Sequence, residues 1–245
     1  MSSRRRRPDG HSLQEILMPA ILTVLAALLA ALLLSSHCHA AGGHHAVDDA
    51  SILDPGQCNV ELWAERAQQQ HRRLQHAGTA CHVAGVELGL SLDRGTAADS
   101  PALHPHAAQV KWATALTAQW SLGAVAALGW QNLAPKRQAI LLVPVTWTPR
   151  EDLALHLNVG RVLREGAPDR WQRGAAIEWQ PLPEWQGLAE VFHDGQRPLA
   201  RLGLRRFLGE KLSIDLSRAR ARATAQAPRE DWWTLGVNWE FGHPF

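Results

Sequence analysis

The sequence predicts an all-β fold: one twelve-stranded antiparallel transmembrane β-barrel after an N-terminal signal peptide. Three observations carry this expectation. Beyond residue 56, apolar side chains recur at every second position, and no helix-period stripe of useful length appears. The connections alternate in length, tight after each even-numbered strand and longer after each odd-numbered one. That sorting is the layout of a membrane barrel whose short turns all lie on one side. Eleven Trp against no Tyr is far more Trp than a soluble core needs. These Trp gather at strand ends, where the two bilayer interfaces favour amphipathic rings.

The opening stretch, MSSRRRRPDGHSLQEILMPAILTVLAALLAALLLSSHCHAAGG, has the three parts of a secretory leader. Arg4 to Arg7 form the charged start. An apolar run follows from Ile16 to Leu34, and Cys38 and Ala40 stand at −3 and −1 of a cleavage site. Residues 1–40 are read as the signal peptide, with a retained single-helix anchor as the alternative, since the run is long enough to span a bilayer. His37 spoils a lipoprotein signal. The Arg run lacks the closely following apolar residues of twin-arginine export, which favours the general secretory route. Residues 41–56 are read as a periplasmic N-terminal segment and 57–245 as the barrel.

Removing the leader changes the electrostatic picture. The formal charge of +2 loses four of 25 basic and two of 23 acidic residues, leaving 21 of each. A neutral chain with no basic patch interleaved with a stacking motif excludes nucleic-acid binding. At 46% hydrophobic and 20% charged, it is not a disordered chain either.

Twelve segments alternate: 57–66, 73–83, 85–94, 107–117, 120–131, 137–148, 152–164, 170–181, 185–194, 199–208, 211–222 and 231–241. Folding the first two into a hairpin about residues 69 and 70 sets Cys58 opposite Cys81. An exported chain with two Cys usually pairs them, so a disulfide is expected across this hairpin, with two buried thiols as the alternative. The tight connections lie around Ala84 and at "AQ", "PRE", "LPE" and "GE". Longer ones include "GTAADSPALHPH" and "ATAQAPRED". A soluble sandwich shares the alternation but has no reason to sort its loops; as a periplasmic domain behind an uncut anchor it would be soluble once the leader is removed. On the barrel topology Trp120, Trp147, Trp179, Trp185 and Trp239 fall at the short-turn ends. Trp130, Trp171, Trp232 and Trp233 fall at the opposite ends, and Trp63 and Trp112 fit neither belt.

The chain ends on Trp233, Leu235, Val237, Trp239, Phe241 and the final Phe245, alternating apolar residues that lead to a terminal aromatic. With these residues the mature chain resembles a bacterial outer-membrane β-barrel, and its last strand resembles the assembly signal of that class. The "GHP" before Phe245 departs from the usual pattern, in which the strand itself ends on the Phe. The resemblance implies residence in the outer membrane after export, contact with its lipid and lipopolysaccharide, and handling by the barrel-assembly machinery. The stretch VDDASILDPGQCNVELW resembles, over few residues, the first strand of small proteobacterial barrels. Some of those are grouped as transporters linked to aromatic-compound degradation.

Function in such a barrel sits in the lumen, on the loops or at the rim. Alternation points Glu61, Glu65, Glu87, Asp93, Lys111, His156, Asn158, Glu178, Glu190, Arg201, Arg205, Asp215 and Glu240 inward. The candidate lumen network is Glu190, Arg201, Arg205, Asp215, Glu178 and Glu240, read either as a constriction that selects solutes or as a salt-bridged plug. Arg161, Arg173, Arg218, Arg220 and Arg222 share the outward parity beyond the apolar band. They are candidates for the phosphates of lipopolysaccharide, with ordinary loop-base charge as the alternative. "GGHH" would bind Cu(II) or Ni(II) if cleavage left Gly42 as the free amine before His44; cleavage after Ala40 removes that site, so neither metal nor cofactor is expected. The "HPH" of His104 and His106 reads as solvated loop. No nucleophile elbow, phosphate loop or paired-Cys motif points to an enzyme. The expected function is passive passage or uptake of a small solute through a narrow charged lumen. A closed structural or lipopolysaccharide-interacting barrel is the alternative, and a lipid-modifying hydrolase a third.

Overall fold

A computed structural model describes residues 44–242 apart from Pro135 and Gln226. The leader (1–40), Gly42 and Phe245 lie outside the described residues. Twelve strands run in order: β1 (Gln57–Ala67), β2 (Arg73–Val83), β3 (Val86–Thr96), β4 (His106–Ala115), β5 (Trp120–Trp130), β6 (Arg137–Arg150), β7 (Leu153–Arg164), β8 (Arg170–Leu182), β9 (Trp185–His193), β10 (Pro198–Phe207), β11 (Leu212–Ala221) and β12 (Glu230–Gly242). Each pairs with its sequence neighbours, and β1 pairs with β12, so the sheet closes into a barrel. Every pairing is antiparallel, and the β1–β12 ladder runs unbroken from Gln57 opposite Gly242 to Ala67 opposite Trp232.

The strands lie where alternation places them, to within about two residues at each end. In β11, Ser213, Asp215 and Ser217 are buried while Ile214, Leu216 and Arg218 are exposed. The same reversal of a soluble protein's pattern runs round the wall. Leu90, Leu92, Leu157, Val159, Leu202 and Leu235 are each more than half exposed, whereas the inward Glu87, Glu178, Glu190, Arg201, Arg205 and Asp215 are buried. An apolar outer surface around a polar interior is stable against lipid, not water.

The β1–β2 register places Cys58 opposite Cys81, and the two are joined in a disulfide. The β2–β3 turn has only Ala84 and Gly85 between its strands, both at positive φ, the hairpin turn whose twist matches the strands it joins. Turns on the even side are short throughout, but the odd side is less uniformly long than expected. Its connection 194–197 is no longer than the turns 116–119 and 208–211.

Tryptophan marks both rims. Trp120 stacks on Trp147 at 5.6 Å at the short-turn end, and Trp179 and Trp239 are exposed at the same end of their strands. Trp130, Trp171 and Trp233 are exposed at the other end. Trp232 departs from the belt reading. It is 6% exposed and turned inward, its indole N–H donating to Glu65 Oε1 at 3.0 Å. Trp232 and Trp233 are adjacent, so in a strand they must face opposite sides. Trp63 is also inward, stacked on His76 at 4.5 Å, whereas Trp112 faces outward.

A charge at mid-height on the outer wall tests the orientation of the sheet. Leu216→Arg is expected to destabilise the barrel by about 2–4 kcal/mol when unfolding is followed in lipid bilayers. The same substitution at Leu212, near the strand end, should cost much less.

Candidate functional site

The lumen is not empty. The sequence reading set 41–56 outside the barrel as a periplasmic segment; residues 44–53 instead run among the inward side chains, and wall groups bond their backbone. Arg201 donates to the His44 carbonyl. Glu190 accepts from Ala46 N–H and, at 3.0 Å, from Val47 N–H. The Asn158 amide brackets Asp48, accepting from its N–H at 2.6 Å and donating to its carbonyl at 2.8 Å. Thr146 Oγ1 accepts from Ala50 N–H at 2.9 Å. Glu87 accepts from Leu53 N–H at 3.1 Å, and His82 Nδ1 donates to the Leu53 carbonyl at 2.6 Å. These partners stand on β2, β3, β6, β7, β9 and β10. A peptide backbone crossing a dry interior needs a partner for each polar group, and this wall supplies them from side chains.

Side chains of the segment are fixed as well. Lys111 reaches in from β4 to Asp48 and Asp49, both at 2.7 Å. His44 Nε2 and Ser217 Oγ are 2.6 Å apart. Inward glycines make room: a Cβ at Gly174 would come within 2.6 Å of Val47 Cγ2, and one at Gly236 within 3.4 Å of His44 Nδ1.

Of the six candidate network residues, five lie together. Arg201 sits 3.3 Å from Glu190, and Arg205 donates to Asp215 at 2.6 Å. Gln186 links Arg205 to Glu178, accepting at 3.4 Å and donating at 3.0 Å. Glu240 stands apart, lining a cavity of about 380 Å³ on the other side of the segment with Glu61, Glu87, Asn238 and Lys111. Parity alone put it in the network; strand position separates it.

Sequence reasoning missed Asp48, Asp49, His76 and Thr146, and weighed His44 only as a metal ligand. His76 bridges two carboxylates, Glu61 at 2.8 Å and Asp93 at 2.7 Å. Its signal was present, since inward parity on β2 places it between β1 and β3. Thr146, His156 and Glu178 also line up, at 2.9 and 3.7 Å. The Thr146 hydroxyl is occupied by Ala50 N–H, and all three residues are buried, which leaves no approach for a substrate carbonyl.

A second knot of ion pairs lies at the long-loop end. Glu65 and Glu230 share Arg72, and Arg197 adds a 2.9 Å contact to Glu230. On the outside, Arg161 pairs with Asp169 at 2.8 Å, and Arg220 with Asp231 at 2.6 Å. Arg161 and Arg218 lie over Trp171 and Trp233. Arg173 and Arg222 are exposed. In β12, Trp233, Leu235, Val237 and Trp239 face outward, and Phe241 packs 5.0 Å from Trp239.

Wall, belts and polar lumen define a β-barrel with the architecture of outer-membrane barrels. The chain belongs to the family described as "Uncharacterised conserved protein UCP029691", whose model matches residues 29–241. No curated protein is similar to it in sequence. Among solved structures it is similar to the KdgM porin, with TM-score 0.63 and 10% identity over 75% of this chain and 99% of that one. It is also similar to the COG4313 outer membrane channel from Pseudomonas putida F1, with TM-score 0.60 and 13% identity over 82% of this chain and 100% of that one. A third is the NanC porin, with TM-score 0.56 and 9% identity over 74% and 98%. At these identities the likeness is one of fold.

The docked segment carries a pH dependence. Burial, then the Arg201 and Arg205 guanidiniums, lower the His44 pKa from 6.5 to about 3. His45 is lowered too, by burial first and then by His44 and the same guanidiniums. A released segment returns both to ordinary values, so the released state binds more protons between about pH 6.5 and pH 3. Docking is therefore at full strength above that window and weakens as pH falls through it. A nitroxide on Ile52→Cys should sharpen its spectrum between about pH 6.5 and pH 4; a line shape constant across that range would refute this.

Proposed function

We propose that this protein resides in the outer membrane and gives passive passage to a small solute through a narrow, charged lumen in which residues 44–53 form the constriction. The observation that carries the reading is the cavity of about 380 Å³ left between the segment and β1 to β6, β8 and β12. A wall built only for strength would fill such a space with side chains. This one lines it with carboxylates and amides, the groups that strip water from a passing solute in a selective pore. The solved porins and channels of the same fold support the reading by analogy of architecture.

A second reading is favoured by the segment itself. Six strands bond its backbone, the arrangement expected of a closed, structural barrel. Single-channel recording in planar bilayers separates the two. The wild type should conduct in small steps. Deleting 44–53, or inserting bulk under the segment with Gly174→Leu, should raise the step several-fold. No conductance from the wild type, and none gained by either variant, would leave the structural barrel as the answer.

The outward Arg161, Arg173, Arg218, Arg220 and Arg222 are proposed to meet the phosphates of lipopolysaccharide at the rim. Guanidinium forks match phosphate geometry, and the Trp171 and Trp233 rings beneath Arg161 and Arg218 hold those two side chains at interface height. Replacing all five with Gln should lower lipopolysaccharide co-purification and weaken the detergent barrier of cells. Unchanged values for both would assign these residues to ordinary loop charge. Trp233, Leu235, Val237, Trp239 and Phe241, with Phe245, are proposed as the segment read by the barrel-assembly machinery.

A further inference from the structure

We propose that the cavity beside the N-terminal segment is a binding site for a small organic cation, an amine or guanidinium compound. The inference takes its role from the passage reading above, but its chemistry stands on the cavity.

The charge balance is one-sided. Glu61, Glu87, Glu240 and Asp48 line the cavity with three bases, Lys111, His76 and His45, the last held neutral by burial, and Asp49 and Asp93 stand behind it on Lys111 and His76. Six carboxylates thus meet three bases, an excess of acidic side chains. Neither Lys111 nor His76 is available to an anion. Lys111 holds two carboxylates at 2.7 Å each, and His76 is bracketed by Glu61 and Asp93. The lumen's large guanidiniums are elsewhere: Arg201 and Arg205 sit on β10 against Glu190 and Asp215 and do not line this space.

Two acceptors that line the cavity have no donor among the described residues. Asn238 is 7% exposed, lines the cavity, and its Oδ1 has no hydrogen-bond partner. The Glu240 carboxylate makes no hydrogen bond or ion pair with any described residue, and Glu87 takes only the Leu53 N–H. A buried acceptor without a donor is costly, and here the missing partner is one that carries N–H groups and positive charge. An inorganic ion does not fit, because among the described residues no three His, Cys, Asp or Glu side chains converge closely enough to hold a metal. Acceptors spread along a cavity of about 380 Å³ suit an extended organic cation instead, and that volume lies within the range of small-molecule sites.

Titration calorimetry of the detergent-solubilised full chain tests this with two probes of similar length, agmatine and glutarate, at low salt. Agmatine should bind, with an affinity that falls as salt rises, and glutarate should give no heat. The triple variant Glu61→Gln, Glu87→Gln, Glu240→Gln should weaken agmatine at least tenfold. Glu240→Gln alone, at a half-exposed position with no bonded partner, should weaken it several-fold while the barrel keeps its heat-modifiable gel migration. Equal binding of the two probes, no agmatine binding by the wild type, or agmatine binding untouched in a folded Glu240→Gln would each overturn the proposal. Flux into proteoliposomes separates it from the passage reading. Agmatine bound without flux would sink passage and leave the cation site standing. Flux that admits agmatine and glutarate alike would sink the cation site and leave passage standing.

Discussion

The pairing of β1 with β12 turns a sheet with two open edges into a wall with none. In hydrocarbon an unpaired edge strands a row of N–H and C=O groups, each costing several kcal/mol. The unbroken ladder from Gln57 opposite Gly242 to Ala67 opposite Trp232 removes that penalty. Closure also fixes parity. A slip of one residue at this junction would turn Leu235 and Val237 inward and Thr234 and Asn238 toward lipid. The inside of the barrel is therefore a consequence of the junction.

Once inside is defined, its charges need partners. Guanidiniums and carboxylates buried together gain little net stability, but breaking one of the pairs is costly. The lumen answers with two different arrangements. On β9 to β11, charges are matched by direct cross-strand neighbours, as Glu190 with Arg201 and Arg205 with Asp215. Between β3 and β4 the neighbours are diverted. Glu87 stands directly opposite Lys111 in the ladder, yet Lys111 goes to Asp48 and Asp49 while Glu87 takes a backbone N–H. The N-terminal segment is thus a working part of the lumen's electrostatics, and the asymmetry between the two sides comes from it.

This division also marks how far the sequence could be read. Strands were legible because period-2 alternation and short connections leave few alternative pairings, and the Cys58–Cys81 register followed from the same arithmetic. Cross-strand ion pairs were legible for the same reason. Trp232 was misassigned because its place at a strand end was weighed and its parity, opposite to that of Leu235, was not. The segment 44–53 was illegible. It has no periodicity, and its partners are far along the chain: Val47 and Glu190 are 143 residues apart. Its contacts are mostly backbone to side chain, so they leave no pattern of complementary residue types in the segment itself. Glu240 went astray with it, because the cavity that sets it apart exists only once the segment is in place.

The turn between that segment and the wall is short. Gln57 N–H bonds back to the Asp54 carbonyl, Gly56 takes a φ of 79°, and one residue past Gln57 comes Cys58, bonded to Cys81. A tug on residues 44–53 therefore enters the wall at Gln57 and Cys58, where the ladder to β12 begins on one side and a covalent crosslink holds β1 to β2 on the other. The closure formed between the first and last parts of the chain thus does not carry such a pull alone, because the strand that takes it stays covalently tied to its other neighbour.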